Sequence, residues 1–155
     1  MPANALMYRG TVYPWHCDHM GHMNVMWYVG KFDEASWQVF AAIGLTRGYL
    51  RVHNRSMAGV DQRISYRREL HAGDVVSVHS SVIEIRNSSL RFVHLMRDAV
   101  ANHLIAATVL TAVHMDSTTR KSCAFADEIR AGAARLLVPD PQPWLSWPLP
   151  ASLLE

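Results

Sequence analysis

The sequence predicts an α+β domain in which an antiparallel sheet wraps around one long helix. Three observations predict it. One strongly amphipathic segment of about five turns occupies Val25–Ile43. After residue 55 the apolar period drops to two and holds through four strand-length runs separated by turn residues. No repeat, low-complexity block or long linker divides the 155 residues, a length that suits one compact domain.

Residues 8–15 read as the first strand, rich in aromatic and β-branched side chains such as Tyr8, Val12 and Tyr13. Pro14 confines this run to an edge or an end. A polar stretch, 16–24, precedes the helix. Within the helix Val25, Tyr28, Val29, Phe32, Ala35, Ser36, Val39, Phe40 and Ile43 recur at spacings of three and four. Lys31, Asp33, Glu34 and Gln38 fall on the opposite face. Asn24 stands at the N-cap position and Gly44 where the helix must stop. Residues 57–70 read as a strand with charge at its far end, and Gly73-Asp74 as a turn. Val75–Ile85 alternates, with Val76, Val78 and Ser80 on one side. Residues 86–89 form a turn, 90–97 a strand, 98–103 a turn, and 104–115 a long apolar strand expected at the centre of the sheet. A short helix is expected over 125–134. The five prolines from Pro139 to Pro150 bar regular helix or central strand beyond it. The expected organisation is one domain over 1–135 and a Pro-rich tail over 136–155 that packs along it through Leu136, Leu137, Trp144, Leu145 and Trp147.

Composition narrows the function. A formal charge of +2 gives no field suited to nucleic acid. No apolar run reaches the roughly 18 residues of a membrane span, and the N-terminal residues lack a signal-peptide pattern. The two cysteines, Cys17 and Cys123, make no disulfide framework, so reduced thiols in a cytoplasm are expected. The charged fraction of 18% is low, and one helix covers one sheet face, so the other face is expected to meet further protein.

The densest run of functional side chains is Trp15-His16-Cys17-Asp18-His19-Met20-Gly21-His22-Met23-Asn24. It lies just before the helix, where free N–H groups and a partial positive charge stabilise a developing oxyanion. The N–H of Val25, or of Met26 beside it, is the expected donor. Gly21 lets the backbone approach a bulky group. Asp18 is placed to activate water as a general base or to attack an acyl carbon directly. His22 could position the water, and Asn24 could hold the loop or orient a water. Met20, Met23, Met26 and Trp27 suggest an apolar or aromatic acyl pocket. A helix-capping role for Asp18 and plain N-capping by Asn24 are the simpler alternatives. A metal site built from His16, Cys17, Asp18, His19 and His22 matches no strong zinc spacing, so no metal is expected.

An aromatic strand followed by Asp18, Gly21-His22-Met23-Asn24 and Tyr28 on a helix resembles the hotdog-fold thioesterases of the 4-hydroxybenzoyl-CoA thioesterase type. Ile64 and Tyr66 followed by Glu69-Leu70-His71-Ala72-Gly73-Asp74, and Val113-His114-Met115-Asp116 before Thr119-Arg120-Lys121, extend the resemblance over roughly 8–130. It implies a hotdog domain that hydrolyses an acyl-CoA thioester. Asp18 falls on the family's catalytic aspartate and Val25 on its carbonyl-polarising N–H. It further implies coenzyme A as part of the substrate rather than a cofactor, bound at Arg86, Asn87, Ser88 and Ser89, with Arg120 and Lys121 second. A homodimer or homotetramer with sites at the interface is also implied. His16 and Cys17 depart from the family's pattern, where another aspartate and a frequent threonine precede the catalytic one. The alternative is a non-catalytic module that binds acyl-CoA or an acyl-carrier protein. A hydratase motif is not found.

Overall fold

The computed structural model describes residues 4–138. Its strands are β1 (Ala5–Thr11), β2 (Arg55–Tyr66), β3 (Val75–Ile85), β4 (Ser89–Asp98) and β5 (Leu104–Asp116). Its α-helices are α1 (Val25–Ile43), α2 (Arg47–Val52) and α3 (Asp127–Ala134). The strands form one sheet in the order β1-β3-β4-β5-β2, with every neighbouring pair antiparallel. Helix α1 lies across one face of it, as the α+β reading expects.

The helix bounds follow from its caps. Asn24 is extended (ψ 146°) and its side chain accepts the Met26 N–H, while Gly44 takes the left-handed φ of 103° that stops the helix. The buried stripe is Tyr28, Lys31, Phe32, Ala35, Ser36, Val39, Phe40 and Ile43. Two assignments of the periodicity are corrected. Val25 and Val29 are 57% and 40% exposed, because with Asp33 and Trp37 they lie on the ridge of the helix away from the buried stripe. Lys31 is buried instead: its ammonium reaches the Tyr8 hydroxyl at 3.2 Å and the Thr11 carbonyl at 3.3 Å on β1.

Other boundaries shift for local reasons. Strand β1 ends at Thr11, and Pro14 opens a single 3₁₀ turn to His16, where its missing N–H costs nothing. Strand β2 stops at Tyr66 because the N–H groups of Arg67 and Arg68 both turn to the Ile105 carbonyl, at 2.8 and 3.1 Å. The centre of the sheet is β4, and β5 lies between β4 and β2. The six-residue α2, capped by Thr46, was not anticipated, being too short to show a period.

The main core lies between α1 and the sheet, where Phe32, Phe92, Val78, Val82 and Met96 are fully buried. One polar cluster sits within it. His94 bonds Ser36 Oγ at 3.0 Å through Nε2 and Ser80 Oγ at 2.6 Å through Nδ1, and burial pushes its pKa down to about 3. The opposite face carries a second cluster of Ile83, Val93, Leu95, Leu104, Ala107 and Val109, with Val138 packed against it. Residues 136–138 run beside β3, giving Val82 two backbone hydrogen bonds of 2.8 and 2.9 Å. The remainder of the expected tail, 139–155, lies outside the described residues.

The register gives the sheet two ends. Thr11, Tyr66, Val75, Asp98 and Leu104 share one end, and Arg55, Ile85, Ser89 and Asp116 share the other. Helix α1 starts at the first end, where the Met23 N–H bonds the Leu70 carbonyl, and its last residue, Ile43, lies against Gly132 of α3 at the second.

Candidate active site

The loop before α1 is closed by its own backbone. Asn24 N–H donates to His16 O at 2.9 Å, and Asp18 N–H to His22 O at 3.2 Å. Gly21 N–H returns to Asp18 O at 3.0 Å, and this tight return needs the φ of +85° that Gly21 adopts. The loop is thereby pinned between β1 and the residues after β2.

Asp18 is held at both carboxylate oxygens. Its Oδ2 accepts the Asn24 side-chain amide at 2.8 Å, and its Oδ1 accepts the Met20 N–H at 2.9 Å. These bonds, the Asn24 one foremost, hold its carboxyl below the usual carboxylate range, so the group is an anion at neutral pH. Asn24 uses its other side-chain atom as the helix cap, with Oδ1 accepting Met26 N–H at 3.0 Å. One amide thus orients the carboxylate and caps the helix.

That cap decides between the two expected backbone donors. The Met26 N–H is consumed by Asn24. The Val25 N–H, at the first helical position, has no acceptor among the described residues. Val25 also lines a cavity of about 240 Å³, together with His22, Met23, Tyr28, Tyr66, Arg67, Arg68 and Glu69. Tyr28 and Tyr66 meet edge to face at 5.2 Å. The Tyr28 hydroxyl donates to Arg68 O at 3.3 Å, and burial pushes its pKa up to about 12, so it stays protonated. His22 Nε2 lies 3.5 Å from Glu69 Oε1.

The structure therefore gathers Asp18, His22, Asn24 and Val25 around the start of α1. Asp18 is not a wall of the cavity, and it joins Val25 through Asn24. Of the expected apolar lining only Met23 is present. Met20 and Met26 are 67% and 62% exposed, and Trp27 packs at a tilt against His16 at 4.4 Å on another side of the helix. The side chains missed were Arg67, Arg68 and Glu69 as cavity walls. Their signal was the charge cluster closing the second strand run, which reads equally well as a solvated strand end. The turn Arg86, Asn87, Ser88 and Ser89 lies at the opposite end of β3, roughly 30 Å from Val75 at the rise of a strand. Its Arg86 guanidinium is paired with Glu84 at 2.8 Å, and the Arg86, Asn87 and Ser88 carbonyls accept from Arg130, Phe125 and His114.

A family model described as the thioesterase-like superfamily matches residues 12–132. The chain belongs to this superfamily. It is 28% identical over 131 residues to an L-carnitine dehydrogenase/betainyl-CoA thioesterase of Ruegeria pomeroyi. That alignment takes in 84% of this chain and 26% of the relative, so the chain spans about a quarter of the length of this curated protein. Among solved structures, a Staphylococcus aureus protein in complex with CoA superposes with a TM-score of 0.80 at 18% identity, over 96% of this chain and 92% of that one. A 1,4-dihydroxy-2-naphthoyl-CoA thioesterase from Synechocystis gives a TM-score of 0.74 at 17% identity, over 83% of this chain and 95% of that one. At these identities the likeness is one of fold, and the fold is the hotdog arrangement that the motif resemblance implied.

Proposed function

We propose that this protein hydrolyses an acyl-CoA thioester to the free acid and coenzyme A. The observation that carries the reading is the presence at the start of α1 of an anionic, doubly hydrogen-bonded Asp18 and a Val25 N–H with no acceptor among the described residues. The superfamily and the betainyl-CoA thioesterase relative support the reaction class. In the proposed chemistry the Val25 N–H, backed by the helix dipole, receives the carbonyl oxygen as it becomes negative. Asp18 acts on the carbonyl carbon in one of two ways. As a base it takes a proton from water while the water oxygen bonds the carbonyl carbon; the C–S bond then breaks, and the proton held by Asp18 passes to the departing thiolate. As a nucleophile it bonds the carbon, the C–S bond breaks, and coenzyme A leaves as a thiolate. Water then opens the resulting anhydride and restores the carboxylate. A single turnover in heavy-oxygen water that leaves label in Asp18 identifies the nucleophilic route, with water opening the anhydride at the Asp18 carboxyl carbon; opening at the acyl carbon labels the product, as the base route does. His22, beside Glu69, positions the water. No dissociable cofactor or metal takes part in this scheme.

The acyl group in this reading is small and apolar or aromatic, matching the Tyr28, Tyr66 and Met23 walls. Two copies are proposed to pair through β2, an edge strand of 12 residues whose Val60 is 60% exposed. Thiol release across short, medium, aryl and betainyl acyl-CoAs tests the function. Activity that disappears in Asp18→Asn and Asp18→Ala is the expected result. Undiminished activity in both removes Asp18 from the chemistry. Acyl-CoA affinity without turnover of any substrate identifies a binding module instead.

A further inference from the structure

We propose that the groove between α1, α2 and the start of β2 binds the phosphoadenosine diphosphate moiety of coenzyme A. This rests on the hydrolase reading and assigns a nucleotide subsite within it. The groove encloses about 420 Å³ and is lined by Trp37, Arg47, Arg51, Asn54, Arg55 and Ser117, together with Leu50. Its residue types are those that recognise a nucleotide: an aromatic face for the base and guanidinium groups for phosphates.

Each part is available for that role. Trp37 is 47% exposed, lines the groove and is braced by Phe40, edge to face at 5.5 Å. Arg47 and Arg51 are one helical turn apart on α2, so they share a face. Neither has a carboxylate within ion-pair distance among the described residues. Arg55 is oriented by Asp116 at 2.8 Å. The groove therefore holds a net positive charge with no acidic partner for two of its three guanidiniums.

Its position suits the substrate as well. Trp37 stands twelve residues along α1 from Val25, a rise of about 18 Å at 1.5 Å per residue. That is comparable to the reach of an extended phosphopantetheine arm. Val25, Val29, Asp33 and Trp37 follow the i, i+4 ridge of the helix, and all four are exposed. A thioester at the Val25 N–H can thus run its arm along this ridge and place its nucleotide in the groove. The turn at Arg86, Asn87, Ser88 and Ser89 occupies the same end of the sheet, its Arg86 neutralised by Glu84, as do Arg120 and Lys121 just after β5.

The test uses the full chain. Calorimetric titration with adenosine 3′,5′-bisphosphate and with CoA is compared between wild type, Arg47→Gln/Arg51→Gln, Trp37→Leu and the charge control Arg135→Gln. Loss of charge-assisted phosphate contacts should weaken both ligands by about tenfold or more in the double variant. Trp37→Leu should weaken them by several fold, and Arg135→Gln should bind as wild type does. On any acyl-CoA that is turned over, the double variant should raise KM and hold kcat, and the loss should be confined to substrates that carry the nucleotide. Unchanged affinity in the double variant, or an equal loss in Arg135→Gln, overturns the assignment. So does a groove that binds ADP as tightly as CoA while its loss leaves the acyl-CoA KM untouched. Because binding is read without turnover, failure of this subsite and failure of the hydrolase reading give different results.

Discussion

Val25→Pro isolates the proposed oxyanion donor from everything else at the start of α1. Proline at the first helical position lacks only an N–H that has no partner within the helix, and its fixed φ suits that position. The residue before a proline must be extended, and Asn24 already is, with φ −66° and ψ 146°. The Asn24 side chain still caps Met26 N–H and still donates to Asp18. Val25 is 57% exposed, so little apolar burial is at stake. Stability should therefore change by less than about 1 kcal/mol. Removing one donor of this kind typically costs about 100- to 1,000-fold in kcat, or about 3 to 4 kcal/mol in the barrier. Steady-state kinetics on an acyl-CoA that the wild type hydrolyses, with urea unfolding alongside, measure both quantities. Val25→Ala keeps the N–H and should lose far less than the proline variant. A folded Val25→Pro enzyme within a few fold of wild-type kcat refutes the assignment of this N–H.

Asn24 separates cap from carboxylate. Asn24→Asp keeps an acceptor for Met26 N–H but sets a second carboxylate against Asp18, so the pair shares a proton and the acid limb of the pH–rate profile moves to higher pH. Asn24→Ala loses both bonds, and urea unfolding should show about 1 kcal/mol of lost capping besides lower activity. His94 governs acid stability above the carboxylate range. In the unfolded chain it takes up a proton as the pH falls through about 6.5, whereas the folded protein resists this until about pH 3. Its contribution is complete above the unfolded value and drains as the pH falls, by up to about 1.4 kcal/mol per pH unit, or roughly 2 to 3 kcal/mol between pH 6.5 and 4.5. His94→Gln should flatten the urea-midpoint profile across that window, and an identical slope in the two proteins would falsify the claim.

The long helix and β3 were legible to the residue because their signals are local. Asn24 and Gly44 are backbone punctuation, and a period of 3.6 or 2 needs no partner to be visible. The site loop was legible for a similar reason: Asp18, His22, Asn24 and Val25 are close in sequence, and a helix start is an electropositive place wherever it occurs. Periodicity alone misassigned Val25, Val29 and Lys31, since an apolar residue at the margin of the stripe can face out and a lysine there can be buried when β1 offers its ammonium oxygen partners. The sequence by itself determined the α+β class, the caps of α1 and the segment that carries the chemistry. Only the tertiary structure decided that the start of α1 is tied to the residues after β2, through the Met23 N–H bond to the Leu70 carbonyl. It alone brought Tyr66, Arg67, Arg68 and Glu69 to the cavity wall, and set Trp37 beside Arg47, Arg51 and Arg55. These are contacts between segments far apart in the chain, and they exist only once the sheet register and the placement of α1 bring their ends together.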